Sequence, residues 1–212
     1  MSTKKGLFLT FEGIEGAGKS SNVQYVKQLL EAAGKDVVVT REPGGTEVGE
    51  HIRNVLLDPD LPAMHSDTEL LLMFASRAEH YQYKILPALQ GGQWVLCDRF
   101  TDASYAYQGG GRSIDMERIR RLESWVLGDF KIDKTLLFDL PVAVGLSRAK
   151  ARSAADRIEQ EEASFFEKIR QCYLDRADAE ATRFELIDAE QSIENVQQQL
   201  DKAVAVLLEN AG

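Results

Sequence analysis

The sequence predicts an α/β fold in which a parallel sheet is flanked by helices. Short apolar runs alternate with longer segments whose apolar residues recur at helical spacing, a pattern typical of βαβ units. A glycine-rich loop joins the first apolar run to the first helical segment. Functional residues of such sheets gather at the carboxyl ends of the strands, so we expect the site there.

The apolar runs predict four buried strands and a weaker fifth. They are Leu7–Phe11, Val37–Thr40, Trp94–Cys97, Thr135–Asp139 and, more weakly, Phe184–Ile187. Helical spacing predicts the segments Ser20–Ala33, Thr68–Leu89, Ile114–Leu127, Val142–Ala151, Ser164–Ala181 and Ser192–Glu209. Gly34 follows the first of these segments, as expected for a C-terminal cap.

Length and charge favour one acidic domain spanning residues 1–212. The chain has 212 residues and a net charge of −9, enough for a single substantial core. An acidic surface disfavours nucleic acid or anionic membrane as a partner, so any phosphate site must be a local basic pocket. Two distant cysteines, Cys97 and Cys172, exclude a disulfide framework. No apolar run suits a signal peptide or a membrane span, and we expect a cytoplasmic protein.

The strongest motif is Gly13–Ser20, which reads GIEGAGKS and matches G-x-x-x-x-G-K-[ST] between a strand and a helix. Glycines let successive backbone N–H groups point at phosphate oxygens, and the helix N-terminus adds positive potential. Lys19 would reach the β- and γ-phosphates, and Ser20 would ligate Mg²⁺. The alternative is a plain glycine-rich turn, but a chance match in a chain of this length has odds below about 1 in 100.

An acid and a base follow the third predicted strand. Asp98 can hold Mg²⁺ or its waters, and Arg99 can bind a phosphate in bidentate fashion. A surface turn pair is the alternative. A regulatory GTPase would need D-x-x-G and N-K-x-D strings, and neither occurs in the sequence.

Further arginines follow the second predicted strand. Arg41 precedes a rigid Pro-Gly-Gly turn, and Arg53 lies nearby in sequence. With Arg99 they make three cations on an acidic chain, an arrangement suited to an anionic substrate. A plain turn at residues 41–46 is the alternative.

Two later segments carry groups suited to a nucleobase. Phe74 and Arg77 share a helix face, so Phe74 could stack on a base whose edge Arg77 binds; packing in the core is the alternative for Phe74. In the polar and aromatic segment 101–112, Gln108 offers a donor and an acceptor and Tyr107 a flat wall. A mobile surface loop is the alternative for that segment.

Residues 148–157 carry four cations against one acid. Such a run is usually a solvated helix face. Next to a triphosphate loop, it is also a candidate lid that closes over the transferred phosphoryl group. The three histidines, at 51, 65 and 80, show no metal spacing, and the sequence assigns them no role.

Together these motifs resemble the thymidylate kinase family, which makes dTDP from dTMP and ATP. The matching strings are FEG at 11–13, TREPGGT at 40–46, DRF at 98–100, AYQGGGR at 106–112 and DRIE at 156–159, and they cover nearly the whole chain. The resemblance implies a P-loop NTPase fold of the nucleoside-monophosphate kinase kind, with a five-stranded parallel sheet and a short basic lid at about 148–160. It also implies a homodimer, Mg²⁺-ATP as donor and dTMP as acceptor.

The resemblance implies roles for single residues as well. Arg99 and Arg41 would bind the dTMP phosphate, with Arg53 close by. The thymine edge would be surrounded by Arg77, Ser104 and Gln108. Tyr107 would lie against the deoxyribose, where a 2′-hydroxyl would clash. Glu12 would lie near the sugar hydroxyl and the metal, and Glu42, Pro43 (after a cis peptide), Leu57, Met73 and Phe74 would also contact dTMP. The implied ATP-binding set is Gly13, Glu15, Gly16, Ala17, Gly18, Lys19, Ser20, Ser21, Arg148 and Arg157, with Ser20 and Asp98 at the metal.

The sequence departs from the family pattern at the stacking aromatic. That residue commonly lies four positions before the helix arginine, where this chain has Met73, while Phe74 comes one position later. Either can make the base contact. The family also divides by whether a catalytic arginine lies in the phosphate loop or in the lid. Here the lid is basic, as in the bacterial lid type, so Lys19, Arg99 and Arg152 are the expected catalytic residues.

An acceptor phosphate is already anionic near neutral pH, so no general base is expected; catalysis then consists of positioning and charge neutralisation. Two other classes remain open. A deoxynucleoside kinase would need a carboxylate base for its hydroxyl acceptor, and Glu12 could serve. An ATP-binding regulatory module would have no acceptor at all.

Overall fold

The computed structural model describes residues 6–152 and 156–210, and of Arg152 the backbone only. Its centre is a five-stranded sheet in which every neighbouring pair is parallel, with the strand order β2-β3-β1-β4-β5. This confirms the predicted sheet. The strands are β1 Phe8–Glu12, β2 Val37–Arg41, β3 Trp94–Asp98, β4 Lys134–Asp139 and β5 Phe184–Asp188.

The position of the site follows from the strand order. After β1 the chain crosses towards β2, whereas after β3 it crosses to the other side of β1 to form β4. The carboxyl ends of β1 and β3 therefore flank a crevice, which is where α/β sheets bind ligands. Both strands are covered on each face, and every residue of β1 is buried. This burial explains why they are continuous apolar runs in the sequence.

Helices cover both faces of the sheet. The described residues form α1 Lys19–Ala32, α2 Glu47–Leu57, α3 Ser66–His80, α4 Leu86–Gln90, α5 Thr101–Ser104, α6 Met116–Leu127, α7 Val142–Arg152, α8 Ala163–Ala179 and α9 Ile193–Asn210. Two π-helical turns continue helices, Tyr81–Ile85 after α3 and Tyr105–Gly111 after α5. The predicted helix Thr68–Leu89 is thus α3, a π turn and α4 in succession.

Helix α2 is absent from the predicted helices. Two of its apolar residues, Val48 and Val55, are exposed, which weakens the apolar periodicity. Its start is nevertheless marked in the sequence, because the Thr46 hydroxyl caps it by accepting the Gly49 N–H at 3.1 Å. Glu47 and Glu50 in its first turn suit the helix dipole.

The surface-loop alternative for residues 101–112 is wrong. The segment is helical, and most of it is buried against α8. Its glycines permit that contact: a Cβ added to Gly110 would lie 2.8 Å from the Cys172 Cβ, and one added to Gly111 would lie 2.4 Å from the Phe165 ring. Close packing, rather than mobility, is the physical reason for the triple glycine.

Candidate active site

A cleft of about 400 Å³ opens at the carboxyl ends of β1, β2 and β3. Most of the predicted site residues line it. Those that do are Glu15, Gly16, Ala17, Gly18, Lys19, Ser20, Ser21, Arg41, Glu42, Pro43, Arg53, Leu57, Met73, Arg77, Asp98, Arg99, Ser104, Tyr107, Gln108 and Arg148. Glu12, Gly13, Phe74 and Arg157 do not line it.

The phosphate loop wraps around the Lys19 side chain. The Lys19 Nζ donates to the carbonyls of Gly13 and Ile14 at 2.9 and 2.8 Å. Gly16 has φ +71°, and a Cβ there would lie 1.9 Å from the Gly145 carbonyl, so the turn requires glycine. Burial, with repulsion from Arg99 second, lowers the pKa of Lys19 to about 8. The loop therefore presents a cation at neutral pH beside the N-terminus of α1, which is a built anion site.

Two oxygen ligands stand next to this loop. The Ser20 hydroxyl donates to Asp98 Oδ2 at 2.9 Å. Mg²⁺ prefers oxygen ligands, keeps several waters and takes the rest from substrate phosphates, so one hydroxyl and one carboxylate are an adequate protein share. In residues 6–152 and 156–210, no three His, Cys, Asp or Glu side chains form a metal cage. The pair therefore fits a phosphate-bound Mg²⁺.

Arg99 bridges the phosphate loop and the rest of the cleft. Its guanidinium donates to the Gly13 carbonyl and Glu15 Oε1 at 2.9 and 2.8 Å, and it lies 4.8 Å from the centre of the Tyr107 ring. Its backbone has φ +68°, which is strained for a side chain of this size. Such strain persists only where neighbours hold it. One of these neighbours is Glu12, which accepts the Phe100 N–H at 2.7 Å.

Arg41 and Arg53 complete a cationic group on the β2 side. Arg41 pairs with Glu50 at 2.9 Å, and Arg53 donates to the Pro43 carbonyl at 2.9 Å. Burial, followed by repulsion from Arg41, lowers the pKa of Arg53. An anion bound between these cations would relieve that repulsion. The Glu42–Pro43 peptide bond is cis, as the resemblance implies.

Arg77 is fixed at the far wall of the cleft and is only 2% exposed. It donates to Glu42 Oε2 at 2.8 Å, to the Ser104 hydroxyl at 3.0 Å and to the Phe100 carbonyl at 3.0 Å. These contacts use three of its five N–H groups and leave two for a ligand. The other oxygen of Glu42 contacts His80 Nδ1 at 2.9 Å.

The comparisons with known proteins agree with this geometry. A model of the family described as thymidylate kinase matches residues 11–200. The chain belongs to the thymidylate kinase family. That family phosphorylates dTMP to dTDP with ATP as the phosphoryl donor.

Individual relatives cover almost the whole chain. It is 57% identical to a thymidylate kinase of Alcanivorax borkumensis over 94% of this chain and 96% of that protein. It is also 57% identical to one of Pseudomonas syringae pv. tomato, over 96% of this chain and 97% of that protein. Among solved structures, a thymidylate kinase from Ehrlichia chaffeensis superposes with a TM-score of 0.77 at 32% identity, covering 96% and 98% of the two chains.

In this member of the thymidylate kinase family, Met73 and not Phe74 faces the cleft. Phe74 is 2% exposed and packs with Leu70, Tyr105 and Ile119. Its ring contacts Arg77, whose guanidinium lies 4.6 Å from the ring centre. The structure therefore shows the core packing that was the alternative for Phe74, and Phe74 does not line the cleft.

The arginines of the basic segment 148–157 do not all face the cleft. Arg148 lines the cleft and donates to the Ala189 carbonyl at 2.8 Å. Arg157 turns away, donating to the Leu56 carbonyl at 2.8 Å and to Glu69 Oε2 at 2.6 Å, so the structure does not bring it to the phosphate loop. The Arg152 side chain and residues 153–155 lie outside the described residues.

Glu12 lies beneath the cleft floor, not in it. It is fully buried and accepts hydrogen bonds from the Phe100 N–H and the Tyr173 hydroxyl, both at 2.7 Å. Burial, with repulsion from Asp102 second, raises its pKa to about 7. This geometry supports the strained Arg99 backbone, and Glu12 does not line the cleft.

Sequence reasoning missed Tyr173, His80 and Glu69, which hold cleft residues in place. Tyr173 accepts from Arg99 at 3.3 Å, His80 contacts Glu42, and Glu69 accepts the Gln108 amide at 2.9 Å. His80 and Glu69 share α3 with Arg77 at helical spacings of three and eight, which is the signal that could have found them.

Proposed function

We propose that this chain transfers the γ-phosphoryl group of ATP to dTMP within this cleft, using the residues that line it. One observation carries the proposal: the phosphate loop around Lys19 and a second cationic group, Arg41 and Arg53, line one cleft of about 400 Å³, and Arg99, which is bonded to the loop, lines it too. Two anion sites in one cavity suit a donor triphosphate and an acceptor that already carries a phosphate.

Lys19 and the backbone N–H groups of the phosphate loop bind the donor phosphates. Ser20 and Asp98 would hold Mg²⁺, which when bound neutralises charge on the β- and γ-phosphates. Arg148 lines the same end of the cleft. We assign the segment at about 148–160 as the lid of one domain, with Arg152 closing on the transferred group.

Arg99 orients the acceptor phosphate, with Arg41 and Arg53 behind it. The phosphate oxygen attacks without a general base because it is already ionised near neutral pH. Glu12, the base that a deoxynucleoside kinase would use, is fully buried and engaged by two donors. Glu12 is therefore not placed to serve a hydroxyl acceptor, and such an acceptor would leave three arginines without a purpose.

The nucleoside lies against the wall formed by α3 and the π turn. Arg77 and Ser104 contact the thymine edge with Gln108, and Met73 and Leu57 pack against the ring. Tyr107 excludes a 2′-hydroxyl, and its own hydroxyl donates to Glu15 Oε1 at 2.6 Å. Glu15 Oε2 is a buried side-chain oxygen with no partner in the described structure. Glu42 and Pro43 frame the same end.

We also propose a homodimer and a reducing compartment. Leu71 on α3 and Trp125 on α6 are 55% and 82% exposed, and these two helices pack side by side, which favours an apolar contact with a second copy. Cys97 and Cys172 are free and buried. No helix in the described residues could cross a membrane. Sedimentation or light scattering gives the oligomeric state directly.

Release of ADP over a panel of acceptors tests the proposed function. With ATP and Mg²⁺, we expect turnover with dTMP, weak turnover with dCMP, and none above background with thymidine or without an acceptor. Turnover with thymidine but not dTMP would replace the proposal with a deoxynucleoside kinase. ATP binding without turnover on any acceptor would indicate a regulatory module.

A further inference from the structure

Glu69 is a buried carboxylate that the proposed function does not use. It is 1% exposed, lies on α3 one turn before Met73, and does not line the cleft. Its Oε1 accepts the Nε2 amide of Gln108 at 2.9 Å. Gln108 does line the cleft. The carboxylate therefore stands directly behind a residue that faces the nucleoside.

The ionised state of Glu69 is secured by its other neighbours. Arg157 donates to Oε2 at 2.6 Å, and Arg112 approaches the same oxygen at 3.3 Å. Burial alone would raise the pKa of this carboxyl, but the hydrogen bonds from Gln108 and Arg157 and the charge and hydrogen bond of Arg112 together hold the pKa below its ordinary value. At neutral pH the group is an acceptor with no proton to donate.

An acceptor-only partner decides which way the Gln108 amide points. The oxygen and nitrogen of an amide are alike in shape, so only the hydrogen-bond network distinguishes them. Because Glu69 can only accept, the NH₂ group must face it, and the carbonyl oxygen is left for the cleft side. Among the described residues, none donates a hydrogen bond to Gln108 Oε1, so this oxygen is available to a ligand.

We propose that Glu69 is a specificity-determining positioning residue: it fixes the Gln108 amide so that a carbonyl oxygen faces the nucleobase. The inference rests on the proposed contact between Gln108 and the base. A carbonyl at this point accepts the N3–H of thymine, whereas cytosine carries a lone pair at N3. Turning the amide to suit cytosine would bring Gln108 Oε1 against the Glu69 carboxylate and leave two acceptors facing each other.

The test is the ratio of kcat/KM for dTMP over dCMP in Glu69→Gln. Glutamine at this position can donate or accept, so the Gln108 amide is free to turn. We expect the ratio to fall at least about tenfold, mainly because dCMP is used better. Glu161→Gln is the matched control. It removes the other carboxylate paired with Arg112, at 2.5 Å, without touching Gln108, and should leave the ratio within about twofold of wild type.

A swapped pair separates orientation from general damage. In the double variant Glu69→Gln with Gln108→Glu, residue 108 again presents only acceptors, and the amide at 69 donates to it. We expect the dTMP preference to return most of the way to wild type. A role limited to structural support would not give this recovery.

Gln108→Met distinguishes failure of the inference from failure of the proposed function. If Gln108→Met leaves the ratio unchanged, Gln108 does not read the base and the proposed contact is wrong. If Gln108→Met lowers the ratio while folded Glu69→Gln keeps it, Glu69 does not set the orientation and this inference alone is overturned. Should Glu69→Gln fail to fold, the swapped pair decides: a ratio near wild type supports the inference, and one as low as that of Gln108→Met overturns it.

Discussion

The two sides of the cleft hold their functional groups in different ways. On the donor side, two backbone carbonyls, those of Gly13 and Ile14, hold Lys19. On the acceptor side, buried carboxylates hold the side chains that face the nucleoside: Glu42 holds Arg77, and Glu69 holds Gln108. We call this second group of four residues the nucleoside wall.

Because of this difference, substitutions on the donor side should affect activity alone, whereas substitutions on the acceptor side should also affect folding stability. A carbonyl is neutral, so removing Lys19 leaves no buried charge without a counter-ion. Removing Arg77 leaves Glu42, only 4% exposed at its side chain, facing His80 alone. Breaking one half of a buried ion pair is strongly destabilising. Variants of the phosphate loop should therefore lose activity and stay folded, whereas variants of the nucleoside wall should lose stability and selectivity together.

The largest expected effect is on the rate of Lys19→Ala. Loss of a charge aimed at the β- and γ-phosphates should lower kcat by about 10³-fold or more, because preorganised groups of this kind act on the transition state. The melting temperature should change by only a few degrees. Steady-state ADP release and thermal unfolding, measured on the same preparation with Lys19→Arg alongside, check both parts. Activity within tenfold of wild type in the folded variant would contradict the phosphate-loop assignment.

Arg77→Ala tests the other half of the comparison. We expect a loss of about 3–5 kcal/mol in the free energy of unfolding, since Glu42 is left as a buried charge without its cation. The dTMP preference over dCMP should shrink as well, because the guanidinium donors face the thymine carbonyl. Urea unfolding gives the stability, and Arg77→Ala with Glu42→Gln is the control, which should recover part of it. A loss in the free energy of unfolding below about 1 kcal/mol would mean that substitutions in the nucleoside wall destabilise the fold no more than substitutions in the phosphate loop.

The third prediction uses the pH dependence of stability and concerns Glu12, under the cleft floor. Its pKa is about 7 in the folded chain, against an ordinary value of 4.5, and its charged neighbours are Asp102 and Arg99, with the Tyr173 hydroxyl bonded to it. Between these two pH values the unfolded chain is ionised at this residue and the folded chain is protonated. The folded state then binds more protons, so this group makes stability fall as pH rises through that window.

Glu12→Gln removes that slope because glutamine does not ionise. The free energy of unfolding of the variant relative to wild type should therefore shift in favour of the variant between pH 5 and pH 8, by at least about 1 kcal/mol. Denaturant unfolding at four or five pH values measures it, and a Glu185→Gln variant, altered at a partly exposed position of the edge strand β5, is the control. A difference that does not vary with pH would show that Glu12 is ionised throughout in the folded chain.

The strands and the donor-side residues were predicted from patterns that are local in the sequence. The five strands are found within one residue of their predicted bounds because each is a short apolar run between turn signals. Lys19 was identified because it belongs to a glycine-rich motif between a strand and a helix, and Asp98 and Arg99 because they follow the third predicted strand, where parallel sheets place their functional groups. No pairing across the chain was needed for these predictions.

What the sequence could not show depends on partners far away in the chain. From the sequence alone, Glu69 is expected to be a solvated acid on a helix. Only in the folded chain does Gln108, 39 residues later, donate a hydrogen bond to it. Likewise, the sequence alone shows His80 as an isolated histidine, and only the fold brings Glu42, 38 residues earlier, into contact with it. The π turn at Tyr105–Gly111 likewise depends on packing against α8, which no local periodicity reports. The donor side was thus predictable, whereas for the support of the nucleoside wall the sequence offered only the shared helix of Glu69, Arg77 and His80 and not the distant residues that they hold.

The smallest expected effect concerns Tyr107, whose ring lies between the two sides. The sequence alone predicts that Tyr107→Phe changes little, because the flat wall is kept. The structure changes that expectation, since the Tyr107 hydroxyl donates to Glu15 Oε1 at 2.6 Å and Glu15 Oε2 has no partner in the described structure. Removing the hydroxyl leaves Glu15 held by Arg99 alone, so kcat/KM for dTMP should fall by about fivefold, equivalent to roughly 1 kcal/mol. Tyr107→Ala should instead improve use of the ribose analogue relative to dTMP, because it opens the space that excludes a 2′-hydroxyl. Measuring both substrates on both variants separates the hydroxyl from the ring: if Phe and Ala shift the deoxyribose preference equally, the ring is not the wall that excludes ribose.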